Sequence, residues 1–167
     1  MKNFVSAFLI FFVSFFAFGQ NQEISKIISL RNKNLKPIKD QIITSIEDQK
    51  NNLITISDGI WEAAETSLEE FKSSKLLIDY ARANGFEVTE NVADISTAFM
   101  ATYGSGKPVI GILGEFDANA GISQKRQPTK EARVKGGAGH GCGHNLFGTA
   151  SLGAAVAIKE QIEKGNL

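Results

Sequence analysis

Residues 139–144, GHGCGH, hold both histidines and the only cysteine of a 167-residue chain. They close a loop of about 25 residues, a length that is uncommon without secondary structure in a compact domain and is usually functional. Eleven of the sixteen glycines lie between 104 and 148, around that loop. The fold must therefore bring a long, turn-rich segment back to one place. Glycine supplies the backbone freedom that this demands.

His140, Cys142 and His144 alternate with glycine. Thiolate and neutral imidazole are the usual zinc ligands. In an extended segment, alternate side chains share one side. A helix starting just after them would put a positive dipole end nearby and favour thiolate over thiol. The alternative is an inert cysteine beside two surface histidines. Three donors so close together cannot enclose an ion by themselves, so further donors must come from elsewhere.

The preceding run VIGILG, 109–114, is continuously apolar and bounded by turn signals, the pattern of a strand covered on both faces. Glu115 and Asp117 follow it directly. In open α/β sheets, ligands bind beyond the carboxyl ends of strands. A carboxylate pair there either binds metal, orients a metal-bound histidine, or is an ordinary acidic turn. A calcium loop starting at Asp117 fails, because its twelfth position is Pro128 instead of glutamate. A phosphate loop at YGSGKP fails as well: Ala101 stands at the first glycine and Pro108 at the Ser/Thr position. The segment 125–135 carries five basic residues and one acidic. It is either a solvated loop or a patch that attracts an anionic substrate.

Upstream, Ile42, Ile46, Leu53, Ile56 and Ile60 form a helical stripe over about 38–64. Ser67 and Glu70 have capping-box spacing and predict a second helix, with Phe71, Leu76, Leu77, Tyr80 and Ala81 buried and Gly85 at its end. Strands are expected at 86–89, 97–103 and 109–114, and a last helix from Asn145 to about Lys164. The glycines, alanines and Ser151 of that helix suggest close packing against a sheet. This order predicts an α/β domain with a twisted, mainly parallel or mixed sheet flanked by helices.

Eighteen basic residues balance eighteen acidic ones, so no global charge points to nucleic acid or a membrane surface. At the N-terminus, Lys2, the apolar run 4–18 and the small residues Ala17 and Gly19 have the layout of a signal peptide over 1–19. A run of fifteen residues, apolar apart from two serines, falls short of the roughly 20 that a spanning helix needs. Export to the periplasm or medium is expected, without stable membrane insertion. Residues 20–36, with Arg31 and Lys33, are expected to form a linker, and 37–167 the domain, with Pro37 at a helix start.

GKPVIGILGEFDA together with GHGCGHNLFGTASLGAA resembles the amidohydrolase branch of the co-catalytic metallopeptidases, which includes aminoacylases, succinyl-diaminopimelate desuccinylase and acetylornithine deacetylase. The resemblance extends from about residue 60 to about 160. It implies a catalytic domain with two zinc or manganese ions that hydrolyses amide bonds of N-acyl amino acids or short peptides. It implies Cys142 and His144 as metal ligands with His140 supporting them. Asp117 matches the active-site aspartate, and Glu115 stands where many relatives carry a metal-binding histidine. These two are the candidate catalytic residues. Asn119 and Ala120 depart from the family's usual Leu-Pro. The general base, the remaining ligands and the dimerising lid domain of the family correspond to positions past Leu167. The chain is thus expected to be the N-terminal part of a longer homodimeric or hetero-oligomeric protein, without turnover of its own. Two other functions fit the residues: a non-catalytic exported metal-binding domain, and a thiol or redox enzyme using Cys142.

Overall fold

In a computed structural model, residues 2–167 are described, with side chains described at 22, 25, 26, 28 and 29 and from 35 onward. The elements are α1 (Lys2–Ala63), α2 (Phe71–Ala83), β1 (Glu87–Glu90), a 3₁₀ turn (Val92–Asp94), β2 (Phe99–Thr102) and α3 (His144–Glu163). Two compact units are distinguished, Met1–Gln41 and Ile42–Leu167. The first is the part of α1 up to Gln41. Its segment 20–36, expected as a linker, is helical, and Pro37 lies inside the helix instead of starting it. No glycine interrupts residues 20–58, and one missing N–H weakens a helix without forbidding it. The side chains of the expected signal peptide lie outside the described residues. Among the described residues, no helix is long and apolar enough to cross a membrane.

The second unit holds α1 from Ile42 onward together with all later elements. Its core joins Ile56 and Ile60 of α1 to Leu77 and Ala81 of α2 and Leu152 of α3, with Phe86, Val88, Phe99, Ala101 and Phe116 packed against it. The spacing of four between Ile56 and Ile60 puts both on one helix face, as the sequence pattern requires. The capping box does not form. Glu70 is buried and accepts a 2.6 Å hydrogen bond from Thr97 Oγ1. The first turn of α2 is served instead by Glu65, whose carboxylate accepts from the backbone N–H of Lys72 and Ser73 and from Ser73 Oγ. A carboxylate at this end also complements the helix dipole. Ser73 and Ser74 consequently occupy the buried face, and Phe71, expected there, is exposed.

β1 and β2 pair antiparallel, Glu87 opposite Thr102 and Glu90 opposite Phe99. This two-stranded sheet and its helices make a partial α/β arrangement. The expected parallel or mixed sheet is not formed among the described residues, whose one sheet is this antiparallel pair. VIGILG is not a strand. Val109, Ile110 and Leu113 are 85%, 78% and 72% exposed, so the expectation of a strand covered on both faces is overturned. An apolar run states only what a segment is able to bury. Pairing and burial need neighbouring strands, and β1 and β2 pair with each other.

Candidate functional site

The backbone of residues 117–119 is pinned from both sides. Ala118 N donates to Glu65 O at 2.7 Å, next to an isolated parallel bridge between Thr66 and Ala118. On the other side Asn119 and Gly139 exchange two 2.9 Å hydrogen bonds. A Cβ on Gly139 would stand 2.6 Å from Ile122 O, so glycine is what permits this approach. Helix α3 closes on the same segment. Ser151 Oγ donates to Leu113 O at 2.7 Å. A Cβ on Gly148 would lie 2.7 Å from Glu115 O. The small residues of α3 thus do pack closely, against an extended segment rather than a sheet.

These contacts give one prediction. Gly148→Ala is expected to lower the melting temperature, although alanine is the better helix former by about 1 kcal/mol. Overpacking against a backbone oxygen costs about 1–3 kcal/mol and outweighs the gain. Thermal denaturation checks the sign; a rise in melting temperature would mean that the 114–116 segment moves aside freely.

The closure sets Asp117 and Glu115 against His144, the first residue of α3. His144 Nδ1 lies 2.7 Å from Asp117 Oδ1, and His144 Nε2 lies 3.2 Å from Glu115 Oε2. Ser67 Oγ donates to the other Asp117 oxygen at 2.9 Å. Partial burial pushes the Asp117 carboxyl up, but hydrogen bonds from His144 and Ser67 outweigh it and hold the group below its usual range. Ionised Asp117 can only accept, so Nδ1 carries the proton. In neutral His144 that leaves a lone pair on Nε2 facing a carboxylate oxygen. Two lone pairs opposed at this distance call for positive charge, either a proton on Nε2 or a cation held by both.

The separation allows the second. Nitrogen and oxygen ligands on one zinc ion stand roughly 2.9–3.4 Å apart for bond angles between square and tetrahedral. A histidine whose other ring nitrogen donates to a carboxylate is the usual form of a metal-binding imidazole. The donor pair therefore fits a divalent cation. The rest of the expected set is placed elsewhere. Among the described residues, no group of three or more His, Cys, Asp and Glu stands ready to hold a metal. Cys142 is exposed, and no hydrogen bond joins it to either histidine among the described residues. His140 turns to α1, with Nε2 3.0 Å from Ile60 O. The alternation rule fails because the segment is not extended. Gly141 N bonds back to Gly139 O at 3.1 Å, and Gly143 takes a left-handed φ of 77°.

A carbonyl can only accept, so His140 Nε2 carries the proton and Nδ1 is a bare acceptor. That Nδ1 is buried and has no hydrogen-bond partner. Burial lowers the pKa of His140, more than its hydrogen bond to Ile60 raises it, which favours the neutral ring. The basic loop folds over Trp61: the guanidinium carbons of Arg126 and Arg133 lie 4.4 and 5.2 Å from the ring centroid. Ser67 and Glu65 are the residues that sequence patterns did not reveal in these roles. Ser67 was expected as a helix cap, and nothing local marks a bond to a residue fifty positions away.

No family model matches the chain. Over 123 residues it is 47% identical to one of the subunits of p-aminobenzoyl-glutamate hydrolase from Escherichia coli (strain K12), a match covering 72% of this chain. This chain spans 25% of the relative's length.

Proposed function

We propose that this chain supplies one corner of a metal-dependent site that hydrolyses the amide bond of an N-acyl amino acid or short peptide. The observation that carries the reading is the Asp117–His144–Glu115 arrangement, with Nδ1 committed at 2.7 Å and Nε2 and a carboxylate oxygen open to one another at 3.2 Å. His144 Nε2 and Glu115 would hold a zinc or manganese ion. Cys142, two residues before His144, is the soft donor proposed to join them, as the family resemblance implies. A bound divalent ion supplies Lewis acidity toward an amide carbonyl and toward water. Asp117 fixes the His144 tautomer and ring angle, and Ser67 fixes Asp117. The relative named above is part of a p-aminobenzoyl-glutamate hydrolase; an aromatic N-acyl glutamate and assembly with other subunits are proposed for this protein on that basis. A second metal ion, and turnover only together with residues outside this sequence, belong to the same reading. Export is proposed from the apolar run 4–18 behind Lys2.

Zinc titration followed by the ring ¹⁵N resonances of His144 tests this function. Zinc is expected to move the Nε2 signal and leave the Nδ1–H signal in place. His144 resonances that stay put at saturating zinc would end the proposal. Alkylation of Cys142 at the same rate with and without zinc would point instead to a free catalytic thiol.

A further inference from the structure

The apolar run 109–113 lies in the open. Val109, Ile110, Ile112 and Leu113 are all exposed, and a contiguous apolar patch on a chain's surface marks an interaction site. Residues 107–117 belong to no helix or strand, and none takes a left-handed φ. The backbone is as open as the side chains. Among the described residues, the one hydrogen bond to the backbone of 109–113 is that donated by Ser151 to Leu113 O. In an extended chain, successive residues present their N–H and C=O groups to opposite edges. Leu113 O points to α3, so Ile110 and Ile112 present theirs to the other edge. An apolar edge with unpaired backbone groups is a template for another strand.

The sequence around Gly111 matches its own reverse. Counting outward, Ile110 mirrors Ile112, Val109 mirrors Leu113, and Lys107 mirrors Glu115. Two antiparallel copies centred on Gly111 therefore set apolar residues against apolar ones and bring Lys107 within side-chain reach of Glu115 at both ends. Both charges are available. Among the described residues, no ion pair uses Lys107, and Glu115 has only Oε2 engaged, toward His144. We propose that 109–113 is a homodimer contact, in which the segment pairs antiparallel with the same segment of a second copy about a two-fold axis at Gly111. Such a contact is isologous, each residue meeting its mirror residue on the other copy. Ile110 and Ile112 exchange the backbone hydrogen bonds, Gly111 faces Gly111 as a pair without them, and the Lys107–Glu115 contacts oppose a slip of register. Polypeptide outside this sequence is the competing occupant. The mirror symmetry and the charge match favour a second copy, because an unrelated strand requires neither. A junction this short is smaller than a standard protein interface, so the dimer is expected to be weak. The inference is independent of the amide-hydrolase reading.

Sedimentation equilibrium of the metal-free chain, from micromolar to millimolar concentration, is expected to show monomer giving way to dimer. Lys107→Glu sets like charges opposite each other and is expected to weaken the dimer about fivefold or more; adding Glu115→Lys is expected to restore it to within about twofold. A disulfide tests the axis. A Cβ on Gly111 would meet nothing within 4 Å, so a side chain fits there. In a Cys142→Ser background, Gly111→Cys sets two thiols across the axis with their Cα atoms about 4.5 Å apart, within disulfide range, and mild oxidation is expected to cross-link the dimer. Val109→Cys in the same background stands opposite Leu113 and is expected to cross-link far more slowly. A monomer throughout the concentration range would overturn the proposal and leave the run to polypeptide outside this sequence. A dimer that is indifferent to Lys107→Glu, or that cross-links equally well through positions 109 and 111, would also overturn it, since the contact would then lie elsewhere.

Discussion

Zinc uptake by the His144→Ala chain is expected to fall at least about a hundredfold, and by Asp117→Asn about ten- to a hundredfold, the range found when the partner of a metal-binding histidine is changed. The difference follows from what each atom does. His144 Nε2 is the donor itself. Asp117 holds the proton of Nδ1 at 2.7 Å, and a neutral amide keeps a weaker form of that contact. Equilibrium dialysis at fixed pH measures both. Asp117→Asn with unchanged affinity would show that the carboxylate contact does not prepare the ring. The pH dependence has a definite sign. Asp117 has a folded pKa below its ordinary value. Its charge therefore contributes stability that is complete above the ordinary aspartate range and is lost as pH falls through the lower folded value.

Ile60→Ala is expected to cost about 2–4 kcal/mol, the usual cost of emptying a buried isoleucine site. Ile60 is fully buried at the centre of the core that joins α1, α2 and α3. The loss corresponds to roughly 8–16 °C of melting temperature for a unit of this size. The carbonyl of the same residue accepts from His140. Ile60→Val keeps the branched shape and is expected to cost only about 1 kcal/mol, which separates the cavity from any backbone effect. Urea denaturation of the two variants checks the difference. Equal losses would mean that the core around Ile60 collapses to fill the space.

The helices were legible because their signals are local. The Ile56–Ile60 spacing and the small-residue face of α3 depend only on the helical period, and both recur in the structure. The ends were less legible. Ser67 has the spacing of a cap, yet Glu65 takes the first turn of α2 and Ser67 turns to Asp117. Two competing uses of one hydroxyl are decided by which partner folding brings within reach. The run 109–114 failed as a strand for the complementary reason, since a strand is a relation between segments and no sequence window contains its neighbour.

At the site, His144, Asp117 and Glu115 were legible as candidates from residue type and glycine-rich setting, whereas the roles of Ser67 and Glu65 were not. Nor was the grouping of the candidates. Alternation put His140, Cys142 and His144 on one side, whereas turns at Gly141 and Gly143 send them in different directions. By itself, the sequence carried the likeness to that relative and offered the candidate donors, because 47% identity and side-chain chemistry survive without coordinates. Only the tertiary structure decided that His144 meets Asp117 and Glu115 and that His140 meets the Ile60 carbonyl. Those contacts join residues far apart in the chain, and their geometry is set by how closely α3 and the 114–119 segment can approach.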